Sequence, residues 1–87
     1  MSASLRFSRR FLAELEANIA WYELHRPGRG AEFEQAVDHA LKRVRDFPQS
    51  AAAWRKQFRA VRLKVFNHAI VYEFADGQVF VVGLFHG

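Results

Sequence analysis

The stretch FRAVRLKVFNHAIVYEFADGQVFVVGLF, residues 58–85, decides the fold class, because here the spacing of apolar side chains becomes period two. Val61, Leu63 and Val65 alternate with Arg62 and Lys64, the pattern of a half-buried strand. Phe66-Asn67-His68 reads as a turn, and Ala69 to Phe74 as a second strand. Asp76-Gly77 is a strong short-range hairpin signal. Gln78 to Phe85 follows as a third strand, so nearly continuous in apolar residues that it is expected to be central or covered on both faces. The expectation is a three-stranded antiparallel sheet.

Upstream of this stretch the period is helical. Phe33, Val37, Ala40, Val44 and Phe47 step by four, three, four and three, and Pro48 ends the run. Acidic residues crowd its first turn and basic ones its last, the sense that the helix dipole favours. Before it, Phe11, Leu12, Leu15, Ile19 and Tyr22 mark a first helix, with Ser8 as a hydroxyl N-cap. Arg26-Pro27-Gly28-Arg29-Gly30 separates the two helices at a tight connection, since proline disfavours helix at the residue before it and glycine opens the backbone. Leu5-Arg6-Phe7 reads as a short strand at the start, and residues 49–57 as a loop or a loose turn of helix. The predicted order is an α+β fold: N-terminal strand, αα-hairpin, then the three-stranded antiparallel sheet, with the hairpin laid on that sheet and the N-terminal strand added to it.

Length and composition bound the rest. The 87 residues fit one domain, 1–87, whose core is small because a chain this short buries only about 60 to 65% of its unfolded surface. Half the residues are hydrophobic and nine are Phe, which excludes a disordered chain. No cysteine is present, so neither a disulfide nor a thiolate metal site braces the core, and four scattered histidines give no metal constellation. No run approaches the roughly 18 to 20 apolar residues of a membrane-spanning helix, and Met1 does not open a signal peptide; the expected compartment is the cytoplasm. A net charge of +4 and a pI near 10.1 suit an acidic partner or nucleic acid.

Several separated stretches resemble the RelE/ParE toxin superfamily, and its ParE branch in particular. The first helix ends in Tyr22-Glu23-Leu24-His25-Arg26-Pro27-Gly28-Arg29-Gly30, similar to a Y-x-x-x-R-P-G-x-G run between the family's two helices. Phe33 and Ala40 to Pro48 resemble its second helix and closing proline, and Phe58 to Phe66 followed by Ala69-Ile70-Val71-Tyr72 resembles its R-x-x-x-L-x-x-F-P-Y-x-I-x-Y signal, with Asn67-His68 where relatives more often carry Pro-Tyr. Val79 to Gly87 resembles the valine-rich strand that leads into a family His-Gly; relatives commonly continue with arginines and a proline-containing tail. The resemblance implies a toxin of a type II toxin-antitoxin module that needs no cofactor. It further implies neutralisation by a cognate antitoxin, ParD-like or similar, that binds operator DNA for the complex, and DNA gyrase as the target; the alternatives are ribosome-dependent cleavage of messenger RNA and an inactive relative kept as an antitoxin-binding module.

Two sets of side chains follow as candidates. For protein contact they are Trp21, Trp54, Arg55, Arg59, Arg62 and Lys64, since partly exposed aromatics beside cations make interface hot spots. The superfamily's other activity, ribosome-dependent cleavage of messenger RNA, would instead need Arg59, Arg62, Lys64 and His86 as phosphate-binding or acid-base groups. The bland reading of these cations is the solvated face of an amphipathic strand. Tyr72 shares a strand face with Ile70 and Phe74, which favours packing over catalysis, and His25 and His39 lie on helix surfaces without metal-ligand companions.

Overall fold

The computed structural model describes residues 2–87. Strand β1 (Ser4–Phe7) leads into helix α1 (Arg9–His25) and helix α2 (Arg29–Asp46). Strands β2 (Ala52–Arg55), β3 (Phe58–Arg62), β4 (His68–Ala75) and β5 (Gln78–His86) follow. They form one five-stranded sheet in the order β1-β5-β4-β3-β2, in which β1 runs parallel to β5 and the other neighbours are antiparallel. The sheet is therefore mixed and five-stranded, not the three-stranded antiparallel sheet expected, although the strand, helix, helix, strands order holds.

Two departures account for the difference. Strand β1 joins the sheet as the parallel neighbour of β5, and the chain between them, the helical hairpin followed by β2, β3 and β4, provides the long connection that a parallel pair requires. Residues 52–55, within the stretch 49–57 expected as a loop or a loose turn of helix, form the edge strand β2, whose four residues are all exposed. A strand with no buried face shows no alternation to read. Its turn is also hidden, since Lys56 supplies the left-handed conformation (φ 51°) usually signalled by glycine or asparagine.

One core lies between the helical hairpin and one face of the sheet. Phe11 from α1 and Phe33, Val37, Ala40 and Val44 from α2 meet Ile70, Tyr72, Val79, Val81 and Leu84. Tyr22, Phe33 and Phe66 pack as an aromatic cluster, with ring centroids 4.9 to 5.1 Å apart. The helical stripes are over-read at their margins: Leu12 is half exposed, and Phe47, the C-cap of α2, is largely exposed. The strand alternation likewise stops early. Strand β3 ends at Arg62, Leu63 is still buried, but Val65 is 85% exposed in a turn, with φ at 75°.

Strand β5 is central, as its composition implies, yet the helices cover one face of it. Its apolar continuity comes from a bulge. Tyr72 pairs with Val81 and Val71 with Gly83, leaving Val82 unmatched, so the inward set passes from Val79 and Val81 to Leu84. Helix α1 satisfies the bulged backbone. The Ser8 hydroxyl donates to the Val82 carbonyl (2.6 Å) while accepting the Phe11 N–H, and the Glu14 carboxylate accepts the Leu84 N–H (3.0 Å).

The connection between the helices is held just as closely. Gly28 has φ at +88°, open to glycine at little cost. The Glu23 carboxylate, at the end of α1, accepts the N–H groups of Gly28 and Gly30, each at 3.1 Å, and so caps the positive end of α2. Gly30 lies against α1 so tightly that a β-carbon there would sit 2.8 Å from the Ile19 carbonyl oxygen.

Candidate protein-docking site

The face of the sheet away from the helices is uncovered. Along β3 and β4, Ala60, Arg62, Ala69 and Val71 alternate onto it, and Phe80 and Phe85 reach it from β5. At its centre is a trough of about 340 Å³ with Ala52, Ala53, Ala60, Ala69 and Val71 on the floor, where small side chains leave room. Trp54 and Phe85 lean over it with ring centroids 6.4 Å apart. The Arg55 guanidinium lies over Trp54 (5.1 Å) and that of Arg10 over Phe85 (4.9 Å), so each aromatic wall carries a cation. Among the described residues, Arg62 is the one ionisable side chain lining the trough.

Trp54, Arg55 and Arg62 are thus brought together on this open face, but the other candidates are not. Arg59 points to the helix side, where its guanidinium donates to the carbonyls of Gln49 (3.2 Å) and Ala51 (2.9 Å). Beside it the Tyr72 hydroxyl donates to the Pro48 carbonyl (2.6 Å), and burial pushes the phenol up, opposed in part by the Arg59 charge. Together they tie the end of α2 to the sheet. Lys64 lies elsewhere, on a 420 Å³ groove with His39, Val65, Phe66, Arg29 and Glu32. Arg29 and Arg26 hydrogen-bond Glu32 there and hold its carboxyl below the ordinary range. Arg62 donates to the Asn67 side chain (2.7 Å) and the Gly87 carbonyl (3.3 Å). Arg59, Arg62 and Lys64 therefore engage three separate parts of the molecule and form no joint phosphate clamp.

Trp21 lies off the open sheet face, on α1, 54% exposed and stacked on His25 at 3.8 Å, and lines a cavity with His68 and His86. His86 ends β5 with its ring 4.9 Å from that of His68. His68, which the sequence pattern places in a turn, instead opens β4 and is only 3% exposed. Its Nε2 is 3.1 Å from the Tyr22 hydroxyl, while its Nδ1 is buried without a partner. Burial, then the neighbouring His86, lowers its pKa. Among the described residues, no three His, Asp or Glu side chains converge as metal ligands do. Sequence reasoning passed over Glu14 and Glu23, because a carboxylate that accepts backbone N–H groups looks, in one dimension, like any other charge on a solvated helix.

Comparison with known proteins agrees with this architecture. The chain matches no curated protein sequence. Among solved structures it is similar to the chromosomal ParDE toxin-antitoxin system from P. aeruginosa, with a TM-score of 0.84 at 15% identity over 98% of this chain and 96% of that one. It is also similar to the intact RelBE toxin-antitoxin complex of E. coli (TM-score 0.70, 20% identity, 99% and 98% covered). A third match is an arginine double mutant of the E. coli toxin RelE with an antitoxin RelB peptide (TM-score 0.72, 18% identity, 100% and 85% covered). At such identities these matches speak for the fold. The family model for the ParE toxin of the type II toxin-antitoxin system parDE matches residues 5–87. With nearly the whole chain inside that model, the protein belongs to the ParE toxin family of type II toxin-antitoxin systems.

Proposed function

We propose that this toxin works by binding and not by bond cleavage: it inhibits DNA gyrase and is neutralised by a cognate, ParD-like antitoxin laid over the open sheet face. The observation that carries this reading is the chemistry of the trough. Its walls are aromatic, its floor is alanine and valine, and among the described residues its one ionisable lining side chain is an arginine, which offers no acid-base pair. Such a surface suits an apolar segment bordered by carboxylates, with Trp54 as anchor and Arg55 and Arg62 at its margin. Occupation of the site would also stabilise a small core, by about 2.7 kcal/mol for a partner at a hundred times its Kd. The antitoxin, in this reading, supplies the operator-DNA contact of the complex, and the pair works in the cytoplasm.

The test is a supercoiling assay with purified gyrase beside induced expression in cells. The reading expects blocked supercoiling, broken DNA and filamentous cells, and it expects Trp54→Ala and Arg62→Ala to weaken antitoxin binding without unfolding the toxin. Arrested translation with gyrase untouched would replace it with ribosome-dependent cleavage of messenger RNA.

A further inference from the structure

The cavity between α1 and the helix side of the sheet has a volume of about 340 Å³ and brings Asn18, Trp21 and Tyr22 of α1 to His68 of β4 and His86 of β5. The two histidines are direct cross-strand partners. Ile70 and Leu84, the next pair of the same parity, are buried in the core, so both imidazoles belong to the helix side. Next to them the Gly87 N–H donates to the Asn67 carbonyl (2.9 Å). That makes 68 and 86 a non-hydrogen-bonded pair, the kind whose side chains stand closest.

His68 is held in an unusual state. Its Nε2 lies 3.1 Å from the Tyr22 hydroxyl, while its Nδ1 is buried with no partner among the described residues. Buried ring nitrogens are ordinarily hydrogen-bonded, and one that is not points to a further role, a bound ion among them. The surroundings match those of a metal-ligating histidine, in which one nitrogen is fixed by a polar group and the other is left for the ion. With the Nε2 proton donated to the Tyr22 oxygen, the Nδ1 lone pair is free. Burial, then His86, lowers the His68 pKa, which favours the neutral imidazole, the form that binds metal.

The spacing of the rings fits as well. Two imidazoles on one ion, each bound through nitrogen at about 2.0 to 2.1 Å, have ring centres roughly 5 Å apart. Those of His68 and His86 are 4.9 Å apart and inclined at 67°. A third donor comes from α1. The Asn18 side chain donates to the Glu14 carbonyl (2.7 Å), which only its amide nitrogen can do, so the amide oxygen is left without that contact on a side chain that lines the cavity. An amide oxygen stands outside the His, Asp and Glu types among which no triad converges. His86 is exposed, which opens the cavity to solvent on its side.

We propose that His68 Nδ1, His86 and the Asn18 amide oxygen bind one divalent transition-metal ion of the class that favours imidazole, with water as the remaining ligand. The ion ties α1 to the start of β4 and the end of β5. Two nitrogen donors discriminate against Mg²⁺, which takes oxygen ligands in octahedral geometry. The site lies off the open sheet face and does not rest on the proposed function.

Calorimetric titration of Zn²⁺ into the untagged, chelator-treated full chain is the test. One ion per chain is expected, with no binding of Mg²⁺, and a Tm raised by about 10 °C at a hundred times the Kd. His86→Ala, at an exposed strand end, should keep the circular dichroism spectrum and weaken Zn²⁺ binding by about tenfold or more. Asn18→Asp puts a carboxylate in place of the amide and should tighten it, a gain that a purely structural role for Asn18 does not give. His25→Ala and His39→Ala, outside the cavity, should leave the affinity unchanged. The proposal is overturned if Zn²⁺ does not bind, if His86→Ala binds it as tightly as the parent, if Asn18→Asp weakens it, or if the loss comes with His25→Ala or His39→Ala instead.

Discussion

Replacing Gly30 with alanine sets two effects against each other, and the geometry of the helical hairpin decides between them. In an exposed helix interior the change should stabilise by up to about 1 kcal/mol, because alanine loses less backbone entropy than glycine. Here the new methyl would stand 2.8 Å from the Ile19 carbonyl oxygen and 3.0 Å from both Cβ and Oε1 of Glu23. The nearest atom is backbone and cannot rotate away. Relief requires α2 to move off α1, a form of overpacking that costs about 1 to 3 kcal/mol. The same shift stretches the Glu23 cap on the Gly28 and Gly30 N–H groups, and losing a cap costs about 0.5 to 2 kcal/mol. The sum favours destabilisation by about 1 to 3 kcal/mol, which in a domain of this size lowers Tm by roughly 5 to 20 °C. Thermal and urea unfolding followed by circular dichroism measure it. A Gly30→Ala protein that melts at or above the parent temperature would show that the hairpin is not close-packed there, and the account of Glu23 would fall with it.

Three further outcomes are expected. His68 is buried and its folded-state pKa lies below the ordinary 6.5, so the unfolded chain binds the proton first. Its contribution is therefore complete above about pH 6.5 and declines as pH falls below it; melts at pH 7.5 and 5.5 should show a smaller acid drop in His68→Phe, and equal drops would contradict the assignment. Val65 is an exposed, β-branched residue at φ 75°, so Val65→Gly should raise stability by about 1 kcal/mol despite glycine's entropy, and a lower urea midpoint would argue against strain at this turn. Val81 is fully buried between α1 and the sheet, so Val81→Ala should cost about 1 to 4 kcal/mol, whereas an unchanged melt would contradict its inward placement at the bulge.

What could be read in one dimension was whatever repeats. Val37, Ala40 and Val44 keep helical spacing, and Asp76-Gly77 carries its own turn chemistry, so the hairpin of helices and the β4–β5 hairpin were both legible. Strand β2 was not, since an edge strand exposed on both faces has no period. The bulge at Val82 disguised a one-sided strand as a two-sided one. Pairings between distant residues were out of reach for the same reason: nothing near Ser8 announces the Val82 carbonyl, and nothing near Tyr22 announces His68. Of the candidate docking residues, Trp54, Arg55 and Arg62 gather on one face, while Arg59 and Lys64 look equivalent to Arg62 until strand parity and chain direction separate them.

The bulge in β5 has a bearing on insertions and deletions. Losing one residue from a strand ordinarily turns every later side chain to the wrong face. At Val82 the arithmetic runs the other way. The pairs Tyr72–Val81 and Val71–Gly83 already stand side by side, so deleting Val82 would leave the partners on both sides as they are and keep Leu84 facing the helices. The loss would fall on the Ser8 hydroxyl, whose acceptor disappears, and on the bend that the extra residue gives the strand. Length variation within this strand is therefore more conservative at Val82 than at either neighbour.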